Sequence, residues 1–83
     1  MGQSDIVYIE WVDSKGPRRW EYVDEAEPQP PSVLHAVGFL VDDNREYKTL
    51  AIFEGGGQVF GRTTIPAGCI RHMEVLRPKR RPK

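Results

Sequence analysis

A single cysteine, Cys69, has nothing to pair with inside the chain, so packing rather than cross-linking must stabilise the fold, and a reducing compartment is its expected home. Long apolar runs are missing too. The longest, Ala36 to Val41, has six residues, against the about 20 needed to span a bilayer. The opening MGQSDIVYIEW has no cationic stretch followed by an apolar one, so secretion is not expected. Gly2 lacks the hydroxyl residue that N-myristoylation expects at position 6, where Ile6 stands. These absences predict a cytoplasmic protein without a membrane association or a disulfide.

Catalytic signatures are equally scarce. His35 and His72 stand alone, without His-Glu-x-x-His spacing or Cys/His pairs, so no zinc site is expected. Gly55-Gly56-Gly57 lacks a following Lys-Ser/Thr and a helix to hold phosphate, and reads as a hairpin turn. Cys69 with His72 three positions on lacks an orienting third group, so a small hydrophobic role suits the thiol better than a nucleophilic one. The acids fall into two clusters, Asp24, Glu25, Glu27 and Asp42, Asp43, neither with the ligand alternation and closing glutamate of a calcium loop. No metal, no cofactor and no enzymatic activity are expected.

What the chain does contain is strand signal. Its 83 residues allow one domain. Ile6 to Val12 alternates, with Val7, Ile9 and Trp11 on one face. A turn at Asp13 to Pro17 leads to a short second strand at Arg19 to Val23. Asp24 to Ser32 holds three acids and three prolines, and proline excludes helix or central strand, leaving a stiff extended loop. Val33 to Val41 is a long strand with Gly38 as a bend or bulge. Asp42 to Arg45 follows as a turn of residues that tolerate left-handed backbone. Tyr47 to Phe53, Gln58 to Ile65 and Ile70 to Leu76 complete the set, with one helical turn at Pro66 to Cys69.

Such short strands without an amphipathic helix predict an all-β fold, a small antiparallel barrel of five to six strands over residues 1–76. A one-turn helical break before the last strand is the SH3-like order. OB-like and Sm-like barrels rank second and third. The expected core is Val7, Ile9, Trp11, Val37, Leu50, Ile52, Val59, Ile65, Ile70 and Met73.

Glu10-Trp11-Val12-Asp13-Ser14, then Trp20, Val37-Gly38-Phe39-Leu40-Val41-Asp42, Leu50-Ala51, and Ile65-Pro66 followed by Ile70 form a pattern that resembles a group of short proteins encoded in bacteriophage and prophage genomes. The resemblance spans about residues 6 to 76 and rests on structural residues. It implies a phage origin, a compact barrel and a bacterial host cytoplasm, and it brings no activity, because that group is of uncharacterised function.

Charge and aromatics supply the functional expectations. Twelve basic and twelve acidic residues cancel, yet Arg77, Lys79, Arg80, Arg81 and Lys83 give the segment 77–83 five cations and no acid. Residues 1–76 keep seven basic and twelve acidic groups, a net of −5. The tail reads as a disordered basic terminus, with those five cations as candidate phosphate contacts. Eight aromatic residues exceed what so small a core can hold. The expected partner surface therefore combines Trp20, Tyr22, Asp24, Glu25, Tyr47 and Phe60, an acidic aromatic groove for a protein partner. The primary expectation is a non-enzymatic, host-inhibitory interaction module. The alternative is a nucleic-acid-binding barrel using the tail, with Arg62 and Phe60 on the strand face. A sink for a small nucleotide and self-association are further readings compatible with the chain.

Overall fold

The computed structural model describes residues 4–14, 18–77 and 79. Seven strands carry the chain: β1 Ile6–Asp13, β2 Ser32–Asp43, β3 Tyr47–Ala51, β4 Phe53–Gly55, β5 Gln58–Phe60, β6 Thr63–Pro66 and β7 Ile70–Leu76. The one helical element among the described residues is the 3-10 turn Ala67–Cys69, directly before the last strand as the sequence predicts. No helix there is long and apolar enough to cross a membrane.

All pairings are antiparallel. Five strands form one sheet in the order β6-β3-β2-β1-β7, and β4 and β5 form a separate hairpin. The expected barrel does not close: β6 and β7 are the two edges of the large sheet, and no ladder joins them. Phe53 to Phe60 pair only with each other, in the separate β4–β5 hairpin.

β2 is the spine of the sheet. Its first eight residues pair with β1, from Asp13↔Ser32 to Ile6↔Phe39. From Phe39 onward it pairs with β3, with a register shift between Leu40 and Asp42. The bulge thus falls after Gly38, and Gly38 itself serves a different purpose. A Cβ there would lie 2.9 Å from the Ala51 carbonyl oxygen, so only glycine lets β3 approach the point where β2 changes partners.

Val7 and Ile9 of β1, Leu50 of β3 and Ile65 of β6 make the buried core, with Trp11, Ala36, Leu40, Ile70 and Met73 packed against them. Ile9 lies between Ala36 and Met73 on the neighbouring strands, and Val7 between Gly38 and Val75. Three expected core members lie outside this layer: Val37, Ile52 and Val59 are 62%, 60% and 42% exposed. Val37 sits opposite Tyr8 on the other face of the sheet. Ile52 is the residue between β3 and β4, and Val59 belongs to the hairpin.

Two further elements differ from expectation. Arg19 to Val23 forms no strand: 18 to 22 is irregular or bent, a turn covers 23 to 25, and every residue from 18 to 31 is exposed. A lone alternating pentapeptide needs a ladder, and both edges of β1 are already taken by β2 and β7. Gln58 to Ile65 is interrupted at Gly61, where φ is +73°, a backbone conformation that an extended strand does not pass through. The Asp42 to Arg45 turn is built without left-handed non-glycine residues. Asn44 holds it by its side chain, Oδ1 accepting from the amides of Glu46 at 2.9 Å and Tyr47 at 3.0 Å.

Candidate functional site

The arm between β1 and β2 brings together part of the expected partner surface. Trp20, Tyr22 and Glu25, with Arg19 and Glu21, line a shallow depression of about 290 Å³. The Glu25 amide donates to the Tyr22 carbonyl at 3.0 Å and turns the chain there, while Arg19 and Glu21 pair at 3.7 Å. Trp20 is 101% exposed and Tyr22 77%. Asp24 is exposed on the same turn. The proline-rich stretch that follows limits the arm's conformations, because each proline fixes φ and restrains its predecessor.

Tyr47 and Phe60 do not line this depression. Tyr47 opens β3, half-buried, its amide bonded to Asn44. Phe60 ends β5, its ring 5.8 Å from that of Phe53 across the hairpin. Arg62 follows Phe60 in the connection between β5 and β6 and so lies on no strand. Of the five tail cations, Arg77 and Lys79 are exposed, and Arg80, Arg81 and Lys83 lie outside the described residues.

Register builds a second cluster that the linear sequence conceals. Glu10 of β1 stands opposite His35 on β2 and His72 on β7, one row across three adjacent strands. Tyr8, two residues earlier on the same face, shares a 2.7 Å hydrogen bond between its hydroxyl and His35 Nδ1. Its ring is stacked on His35 at 5.9 Å and tilted against His72 at 6.2 Å. Glu10 approaches His35 Nδ1 and Arg71 Nε, each at 3.8 Å. His72 Nε2 bonds Glu74 Oε1 at 2.8 Å.

Each histidine reads as isolated in sequence, and only the pairing of β1 with both neighbours reveals the shared face. The contact of His72 with Glu74 turns its ring toward a carboxylate rather than supplying a base for Cys69, which closes the 3-10 turn, half-buried. Among the described residues, no three metal-capable side chains gather into a ligand set. Chemically, this face offers stacked aromatic surface and hydrogen-bonding edges, whereas the arm offers bare aromatic area set among acids.

No protein-family model, no curated protein and no solved structure matches this chain.

Proposed function

We propose that the chain is a non-enzymatic interaction module of bacteriophage origin that acts in the cytoplasm of a bacterial host by binding, and thereby inhibiting, a host protein. The observation that carries this reading is Trp20, wholly exposed at the head of an acidic, proline-stiffened arm beside Tyr22. Tryptophan and tyrosine dominate binding hot spots because each removes a large area from water at little conformational cost. The flanking Glu21, Asp24, Glu25 and Glu27 suit a partner with a basic rim. The strand order and the single 3-10 turn before β7 support an SH3-like meander opened between β6 and β7, and in such a layout the arm occupies the long first loop.

Affinity capture from bacterial lysate, with and without nuclease treatment, tests this reading. A protein retained in both arms and lost with Trp20→Ala and Tyr22→Ala supports it. Capture that disappears on nuclease treatment transfers the function to nucleic acid.

That alternative has its own observation. Tyr8, stacked on His35 and tilted against His72, lies with them on one face of β1, β2 and β7, and β7 runs directly into Arg77. Aromatic side chains on a sheet face stack bases, and a basic segment beside them holds phosphates. Engagement of about four or five phosphates gives a slope of roughly −4 for log affinity against log salt on duplex DNA. Neutralising all five tail cations abolishes such binding, whereas the interaction-module reading leaves partner binding intact.

A further inference from the structure

Every residue from 27 to 31 is a proline or stands directly before one: Glu27, Pro28, Gln29, Pro30, Pro31. The pyrrolidine ring fixes φ at about −65° in the prolines, and the clash with a following ring keeps Glu27, Gln29 and Pro30 out of the helical region. The whole stretch is thereby biased toward the polyproline II helix before any tertiary contact acts on it.

The fold leaves this stretch bare. Residues 26 to 31 belong to no strand, helix or turn, and all of them are exposed. Among the described residues, no backbone hydrogen bond from the rest of the chain reaches them. Both ends are nevertheless fastened: the Glu25 amide donates to the Tyr22 carbonyl at 3.0 Å, and Ser32 enters the ladder opposite Asp13. A segment already extended and tied at each end loses little freedom when a partner grips it.

A connector needs stiffness alone, which the same prolines supply in any order. The spacing is more particular. Polyproline II has about three residues per turn and a rise of about 3.1 Å, so Pro28 and Pro31 fall on one edge, about 9 Å apart. We infer that residues 27–31 are themselves a ligand: a polyproline II strip that docks, Pro28 and Pro31 inward, in a protein groove lined by aromatic side chains. Grooves of that kind take proline because the helix is preformed and little entropy is lost on docking. Asp24, Glu25 and Glu27, exposed at the N-terminal end of the strip, select a groove with a basic rim at that end. The inference rests on the reading of the arm as a partner surface and names the chemistry of the partner: Trp20 and Tyr22 anchor, and the prolines set which class of groove fits.

Nuclear magnetic resonance on the isotope-labelled full chain, titrated with a panel of purified SH3, WW and EVH1 domains, tests it. Domains with a basic rim are expected to shift the amide signals of Ala26, Glu27, Gln29 and Ser32, the prolines having no amide proton. Two double variants separate recognition from stiffness. Pro28→Ala with Pro31→Ala removes the edge and weakens binding about tenfold or more. Pro28→Ala with Gln29→Pro keeps the proline count but breaks the spacing, and weakens binding as much. Both leave the melting temperature unchanged, and a variant that fails to fold overturns the inference by showing that the prolines serve the fold. No binding anywhere in the panel overturns it, as does binding indifferent to the spacing variant. Capture from lysate keeps this inference apart from the reading it rests on. A host protein lost with Trp20→Ala and Tyr22→Ala but held by both proline variants leaves the interaction module standing and overturns the strip. One lost with the proline variants but held without Trp20 and Tyr22 does the reverse.

Discussion

Gly38 and Ala51 face each other so closely that a Cβ on Gly38 would stand 2.9 Å from the Ala51 oxygen and 3.2 Å from Leu50 Cβ. The nearer atom is backbone in a paired strand and cannot rotate away. Gly38→Ala therefore strains the junction of β1, β2 and β3. The lost glycine entropy favours the variant by about 0.5 to 1 kcal/mol, and overpacking opposes it by about 1 to 3 kcal/mol. Net destabilisation is expected, read as a lower denaturation midpoint in urea with an unchanged slope.

Ile65 and Ile52 separate core from surface within one short stretch. Ile65 is 1% exposed against Val7, Ile9 and Leu50, so Ile65→Ala costs about 2 to 5 kcal/mol, enough to unfold much of so small a domain. Ile52, 60% exposed, loses under about 1 kcal/mol on the same change in dilute solution. Thermal melts of the two variants side by side check the burial assignment; equal losses would contradict it.

The glycines of the hairpin region are unequal. Gly61 has φ +73°, and a Cβ there would meet Ile52 Cδ1 at 2.7 Å. The left-handed backbone alone costs a β-carbon roughly 1 to 2 kcal/mol, so Gly61→Ala lowers the melting temperature by several degrees. Gly55 has open space around its Cβ position and no positive φ, and Gly55→Ala is expected to fall within about 0.5 kcal/mol of wild type.

Trp20 touches too little of the fold to stabilise it. At 101% exposure, Trp20→Ala leaves the melting temperature unchanged, with a stability difference under about 0.5 kcal/mol. Partner affinity in the same variant drops by more than about 1 kcal/mol, as truncation of an aromatic anchor does. Calorimetry of folding and of binding on one preparation separates the two effects. A destabilised variant would show that the arm packs on the sheet.

Much of the sheet is legible in the sequence because local signals and tertiary needs coincide. β1 alternates cleanly, Pro66 to Cys69 breaks where the 3-10 turn forms, and Ile70 to Leu76 is the last strand. Long β2 is harder because both faces are apolar. Val33, Val37, Phe39 and Val41 look like the buried side, yet Ala36, Gly38 and Leu40 hold it. Small residues belong there because Val7, Ile9 and Trp11 of β1 already fill the space above them. Arg19 to Val23 has strand composition, but both sides of the adjoining β1 are taken by β2 and β7. The Tyr8, His35, Glu10, His72 face is invisible along the chain, since those residues lie up to 64 positions apart and meet only through register.

The pairing of β1 with both β2 and β7 also bears on how the molecule acquires its shape. Ile6 meets Leu76 at one end of that ladder, so β1 cannot find its second neighbour until almost the whole chain has collapsed around it. Closing so wide a loop loses chain entropy before any contact compensates for it. Refolding is accordingly expected on the millisecond-to-second scale of non-local β topologies rather than in microseconds. In a stopped-flow experiment the β2–β3 turn, fastened by Asn44, is the local nucleus available early, and β7 docks last.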